Sequence, residues 1–287
     1  MIFVFLSVLC SVTVAVLIKW AKNCGVNHLQ LVLWNYPIAL ILTWCFLNPL
    51  SVSLDFSSLP WILYFPLGIL LPSLFLIIAL SIQYGGVVKT EVAQRLSLFI
   101  PLMAAFFIFG ESLAVGKLIG IGIGMIAIIC SIGWQKKGKG ENHSLQTIVY
   151  PAIVFLGMGI IDVFFKKVSQ HKEVPYTSSM FVVFALALFV AILCLCYLLF
   201  VKKQKFDFKS IYWGAVLGIF NFGNIMFYMR AHRALPDNPS IVFTAMNIGV
   251  IVVGAIAGVG LFKEKLSNLN RVGLALAIVS VLLITYL

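Results

Sequence analysis

The sequence predicts an all-α membrane protein with ten transmembrane helices in two five-helix halves. Its 287 residues are 62% hydrophobic and 10% charged, with a mean hydropathy of +1.10, more apolar surface than a water-soluble fold of this length can bury. Ten apolar runs follow one another with little between them, each near the roughly 17 to 25 residues that cross about 30 Å of hydrocarbon as helix. A short motif also recurs. Phe109-Gly110-Glu111-Ser112-Leu113 returns 153 residues later as Phe262-Lys263-Glu264-Lys265-Leu266, and the same offset places Gly120 on Gly273 and Gly124 on Ala277.

The runs lie near 2–19, 29–47, 60–83, 88–109, 113–134, 147–168, 176–201, 210–230, 239–261 and 268–287. Barrel strands alternate polarity at every second residue, whereas these runs are apolar on every face and are therefore helices. The first has no basic region before it and no small-residue cleavage site after it, which marks a retained helix and not a signal peptide. The second carries Trp34, Asn35 and Tyr36 before Pro37, aromatic and amide groups more typical of an interface belt than of a ligand cage. Pro66, Pro72 and Pro101 are candidate bends in the third and fourth. A glycine ladder in the fifth, Gly116, Gly120 and Gly124, and Gly254 and Gly258 in the ninth read as close-packing positions. The longest polar stretch, from Gln135 to Gln146, holds Lys136, Lys137, Lys139 and Glu141. It divides the chain into a first repeat over 1–134, a linker over 135–146 and a second repeat over 147–287.

The formal net charge of +11 does not point to nucleic acid, because the lysines and arginines sit at span ends, where they meet lipid headgroups. Twelve basic residues flank spans on the side of the one-two, five-six, seven-eight and nine-ten connections, against six on the other, a bias that places both termini outside. Cys10, Cys24, Cys45, Cys130, Cys194 and Cys196 have neither metal-ligand nor disulfide spacing and read as free thiols, and no cofactor is expected.

With Glu111 and Glu264 each ending the fourth helix of its half and a fifth helix following each, the two-times-five plan resembles the drug/metabolite transporter superfamily, and within it the EamA-type branch. The resemblance spans nearly the whole chain. It implies two repeats inverted in the membrane, a central substrate cavity walled by the first four helices of each, and fourth-fifth hairpins that brace the structure. Two features depart from the family's pattern. Members with ten spans commonly keep both termini in the cytoplasm, and their fourth helix usually begins with small neutral residues, where this chain has Lys89-Thr90-Glu91-Val92-Ala93-Gln94-Arg95.

An ionisable side chain at a helix centre costs about 2.5 to 3.5 kcal/mol on insertion scales, so such residues usually face a polar interior. Glu91 and Arg95 are spaced i, i+4 on one face with Gln94 beside them. Either both snorkel from a helix end, or they wall a cavity in which Arg95 holds a carboxylate or phosphate and Glu91 meets an amine or a proton. Asp162 and Lys166 repeat the spacing in the sixth span, and Asp162 lies closer to mid-span than any other acid. Burial and a neighbouring cation act on it in opposite senses. It is the leading candidate to carry a coupling proton, with a self-contained ion pair as the alternative. In the eighth span Asn221, Asn224 and Tyr228 fall on one stripe, which either lines a cavity or holds helices together. At the 153-residue offset Gln94 meets Asn247 and Glu91 meets Thr244, so these pairs are expected across the pseudo-two-fold axis. Lys19 reads as an interface anchor, and Glu111 and Glu264 as solvated loop anchors at helix ends.

These readings favour a secondary transporter, an exporter or exchanger in the cell membrane, that moves a small polar or amphipathic metabolite such as an amino acid by alternating access. Its expected partners are that small molecule, a coupling proton or ion, and membrane lipids. No GxxxxGK[ST] loop is present for ATP, and neither HExxH nor GxSxG for hydrolysis. The four histidines, His28, His143, His171 and His232, lie in or near predicted loops, widely separated, so an enzyme is not expected. A flippase of the same fold, for lipid or lipid-linked substrates, is the alternative.

Overall fold

The computed structural model describes residues 1–49, 59–111, 115–131, 145–171, 173–263 and 268–286. Most of the linker between the halves, Ser112 and the Glu264 motif's core lie outside them. Helices α1 (Ile2–Asn23), α2 (His28–Leu33), α3 (Asn35–Leu47), α4 (Trp61–Leu96), α5 (Phe99–Phe107) and α6 (Val115–Ser131) form the first half. The second contains α7 (Gln146–Gln170), α8 (Tyr176–Cys196) with a π-helical extension Tyr197–Val201, α9 (Phe208–Ala234), α10 (Pro239–Phe262) and α11 (Asn268–Tyr286). Among the described residues seven stretches are long and apolar enough to cross a membrane, and three shorter apolar helices, Ala93–Phe107, Leu118–Cys130 and Arg271–Ser280, fall at the fourth, fifth and tenth runs.

Prolines explain where spans break. Pro37 follows the interruption at Trp34 that separates α2 from α3, and Pro101 follows the turn at Ser97 and Leu98 that separates α4 from α5. In each case the ring has no N–H to offer the carbonyl four residues back, which disfavours a continuous helix. Helix α4 carries the third span and the start of the fourth in one helical run of 36 residues. That run is not straight. Nine rises of 1.5 Å would hold residues 81 and 90 about 13 Å apart along a straight axis, yet the Ser81 and Thr90 hydroxyls are 2.7 Å apart. The chain therefore doubles back between them, where Gly85 and Gly86 fall, and restores the hairpin between the third and fourth spans.

The two halves pack on each other more than on themselves. Helix α1 lies chiefly against α9, and α7 lies chiefly against α4; α3 meets α9 as α4 meets α8. These contacts exchange under a pseudo-two-fold that relates the first span to the sixth and the third to the eighth, while α6–α11, α3–α8 and α5–α10 pair across it. Because each repeat has five spans, an odd number, the second enters the membrane from the opposite face, and the repeats are inverted.

Glycines let these contacts close. A Cβ on Gly218 would sit 2.7 Å from the Asn35 carbonyl oxygen and 2.8 Å from Ile38 Cβ. The Ser280 hydroxyl donates to the Gly120 carbonyl at 2.6 Å, which seals α6 against α11. Gly254, expected at a packing position, has nothing among the described residues within 4 Å of where a Cβ would stand. Large side chains such as Phe46, Ile62, Phe107 and Phe200 cover the outer surface, as hydrocarbon solvation requires. At one end, Asp207 beside α9 accepts the Asn27 backbone N–H at 2.8 Å while its own N–H donates to Gln30 at 3.0 Å, tying the two halves together there.

Candidate functional site

Helix α9 supplies the polar stripe that its spacing predicts, and each member reaches a different helix. Asn221 donates from Nδ2 to Asn35 Oδ1 on α3 at 2.7 Å, and Asn35 in turn donates to the Val32 carbonyl. The Ser7 hydroxyl on α1 lies 2.8 Å from Asn224 Oδ1 and 2.9 Å from its carbonyl oxygen. The Tyr228 hydroxyl donates to Asp162 Oδ1 on α7 at 2.9 Å. In hydrocarbon no water competes for these groups, so the bonds fix which helices adjoin α9. Asn221, Asn224 and Asp162 each keep part of their surface accessible, while Tyr228 is buried.

Asp162 and Lys166 do not form the i, i+4 pair that their spacing suggests. Asp162 turns to Tyr228. Lys166, with no exposed surface, donates from Nζ to the Pro236 carbonyl at 2.9 Å and stands 5.7 Å from the centre of the Phe109 ring. The carboxylates of Glu111 and Asp237 supply it with counter-charge. Each residue has a better-placed partner on another element, and a tertiary bond outcompetes a modest same-helix pair.

On the fourth span, Gln94 and Arg95 are half-buried near the end of α4, and the Gln94 carbonyl accepts the Ser97 hydroxyl at 2.6 Å. The side chains of Lys89 and Glu91 lie outside the described residues, and with them the expected Glu91–Arg95 and Glu91–Thr244 pairs. Thr244 is buried on α10, its hydroxyl without a hydrogen-bond partner among the described residues. Asn247 donates to the Phe243 carbonyl of its own helix at 3.1 Å and does not reach across to Gln94.

Two groups escaped the sequence reading. Glu111 is no solvated anchor: it is 6% exposed and accepts the Ser240 backbone N–H at 2.8 Å and the Ser240 hydroxyl at 2.5 Å, both at the start of α10. The signal was the recurrence of its motif, although a helix-end position argues for solvent by default. His232, expected in or near a loop, falls in the last turn of a helix, and its burial is what was not foreseen. It lies inside α9, fully buried, with the rings of Tyr228 and Phe243 each centred 4.7 Å away and neither ring nitrogen bonded among the described residues. Among the described residues no cluster of histidine, cysteine and carboxylate groups could hold a metal, and the six cysteines are free.

A cleft of about 400 Å³ runs between α5 and α7, lined by apolar side chains that include Met103, Phe107, Ile160 and Phe164. Ile160, Val163 and Phe164 share one face of α7, and Asp162 projects from the opposite one, so the helix separates the cleft from the Asp162–Tyr228 pair.

Comparison with known proteins agrees with this architecture. A solved crystal structure superposes with a TM-score of 0.71 over 99% of this chain and 95% of that one at 16% identity, a likeness of fold. An uncharacterized protein of Haemophilus influenzae is 35% identical over 286 residues, covering 98% of this chain and 96% of that protein. The EamA-like transporter family model matches residues 1–133 and 146–286, both halves of the molecule, and the chain belongs to that family, within the drug/metabolite transporter superfamily.

Proposed function

We propose that this multi-pass membrane protein is a secondary transporter of the cell membrane, an exporter or exchanger, that moves a small polar or amphipathic metabolite by alternating access. The observation that carries this reading is the placement of Asp162. It lies deep among packed helices, bonded to Tyr228 of α9, yet part of its surface stays accessible, as on the wall of an internal space. Asn221 and Asn224 share that character on the same stripe of α9. A carboxylate and amides between inverted repeats suit a zwitterion such as an amino acid, whose amine Asp162 would meet. The same carboxylate is the proposed carrier of a coupling proton, and Gln94, Arg95, Lys166, Thr244 and Asn247 complete the proposed polar wall with Glu91.

The apolar cleft between α5 and α7 favours a second reading, a flippase for lipid or lipid-linked substrates, because its apolar lining suits an acyl chain. Thermal stabilisation of the purified protein in detergent separates the two. A water-soluble metabolite that raises the melting temperature of the parent and loses its effect in Asp162→Asn or Arg95→Gln supports the first reading. Stabilisation by lipids alone supports the second, and equal stabilisation of parent and variants by a metabolite removes these residues from the site.

A further inference from the structure

The end of α5 belongs to the first repeat and the start of α10 to the second, and one side chain joins them. Gly110, at φ +67°, turns the chain out of α5, and the Glu111 N–H bonds the Ala105 carbonyl at 3.0 Å. From that turn the Glu111 carboxylate takes both the N–H and the hydroxyl of Ser240. Asn238, at the N-cap position of α10, makes no side-chain cap bond, so the cap comes from the other repeat. A carboxylate there satisfies an orphan amide and meets the positive end of the helix dipole. Behind it, Lys166 and Gln170 both donate to the Pro236 carbonyl, at 2.9 and 3.0 Å, so the end of α7 is tied to the α9–α10 connection as well.

We infer that Glu111 is a latch between the repeats: it holds this face closed in the conformation described, and it must release Ser240 for the face to open. The inference rests on the transport reading above. A rocking motion that opens this face draws the end of α5 away from the start of α10 and breaks the contact between them. Dry and charge-assisted, the bonds are strong while the face is shut. Once water enters, carboxylate, hydroxyl and amide are all solvated, so the loss on opening is small. Such a contact favours the closed arrangement without making the open one inaccessible.

Thr244 lies one turn beyond Ser240 on α10 and is 1% exposed, so a cysteine there reports opening. The test uses a full-length chain with its six native cysteines replaced and Thr244→Cys added, in membrane vesicles of both orientations. The probe is a membrane-impermeant maleimide. Adding Glu111→Gln or Ser240→Ala is expected to raise labelling from the face of the α9–α10 connection about tenfold, the effect of a 1.4 kcal/mol shift in bias, and to lower it from the opposite face. Ser240→Ala keeps the carboxylate and the backbone amide, which guards against a variant that fails to fold. Rates that match the parent in both variants, or that rise equally from both faces as loosened packing would produce, overturn the latch. Neither result touches the transport reading, which fails separately if no metabolite or lipid stabilises the protein.

Discussion

Tyr228 and Asp162 join α9 to α7 through a bond of 2.9 Å, and the two residues lie 66 positions apart in the chain. Interhelical side-chain bonds in membranes average about 0.6 kcal/mol and reach about 1.7. A double-mutant cycle of Tyr228→Phe and Asp162→Asn, read as unfolding free energy in detergent, should return a coupling within that range. Strict additivity would mean that the bond contributes nothing.

Glycine positions on one protein should respond to alanine in opposite ways. At Gly218 a new Cβ meets a backbone oxygen and a branched Cβ, neither of which can swing aside, and at Gly68 it would stand 2.5 Å from Leu186 Cβ. Both substitutions should destabilise by roughly 1–3 kcal/mol, the cost of overpacking. Gly254→Ala has open space and should be neutral or stabilise by up to about 1 kcal/mol through helix propensity. Melting temperatures of the three variants give the ranking directly.

Gly110→Ala tests backbone conformation apart from packing, since among the described residues nothing beyond its chain neighbours lies within 4 Å of the added methyl while φ is +67°. The left-handed conformation costs a non-glycine residue roughly 1–2 kcal/mol, so alanine should lower stability by about that much. Asparagine should recover part of the loss. Equal effects of the two substitutions would argue against a left-handed requirement at this turn.

The doubling back of α4 predicts a cross-link. Ser81→Cys and Thr90→Cys, on a background without other cysteines, should oxidise readily to an intramolecular disulfide, because the hydroxyls they replace are 2.7 Å apart. A thiol assay under denaturing conditions would find no free cysteine. Two thiols that persist after oxidation would indicate a straight helix through Gly85 and Gly86.

The spans were legible because each is apolar over its length. The breaks were less so: of the prolines expected to bend their helices, Pro101 follows an interruption, Pro66 and Pro72 lie inside α4, and the break before Pro37 was not foreseen. The stripe of Asn221, Asn224 and Tyr228 was legible because helical spacing puts residues on one face. Their partners were not. Ser7 is 217 residues from Asn224, and no local pattern says which helix will face which. Asp162 and Lys166 illustrate the converse, since spacing suggested a pair and tertiary partners on α9 and in the α9–α10 connection drew them apart. Glu111 was misplaced by the assumption that a polar residue near the end of an apolar run meets water, and the burial of His232 near the end of α9 had no signal in the sequence. Burial at such a position depends on what another element lays over it, here the first turn of α10 for Glu111 and the Phe243 ring for His232.

The interleaving of the halves sets the timetable of biosynthesis. Helix α1 packs chiefly on α9, α3 largely on α9 and α8, and α4 on α7, so the first half leaves the ribosome before the surfaces it will bind have been translated. Ser7 and Asn35 wait in the bilayer without Asn224 and Asn221 until α9 is inserted. Synthesis that stops at the linker should therefore leave an inserted but unassembled bundle, and release from the insertion machinery becomes tied to the arrival of residues 208–234.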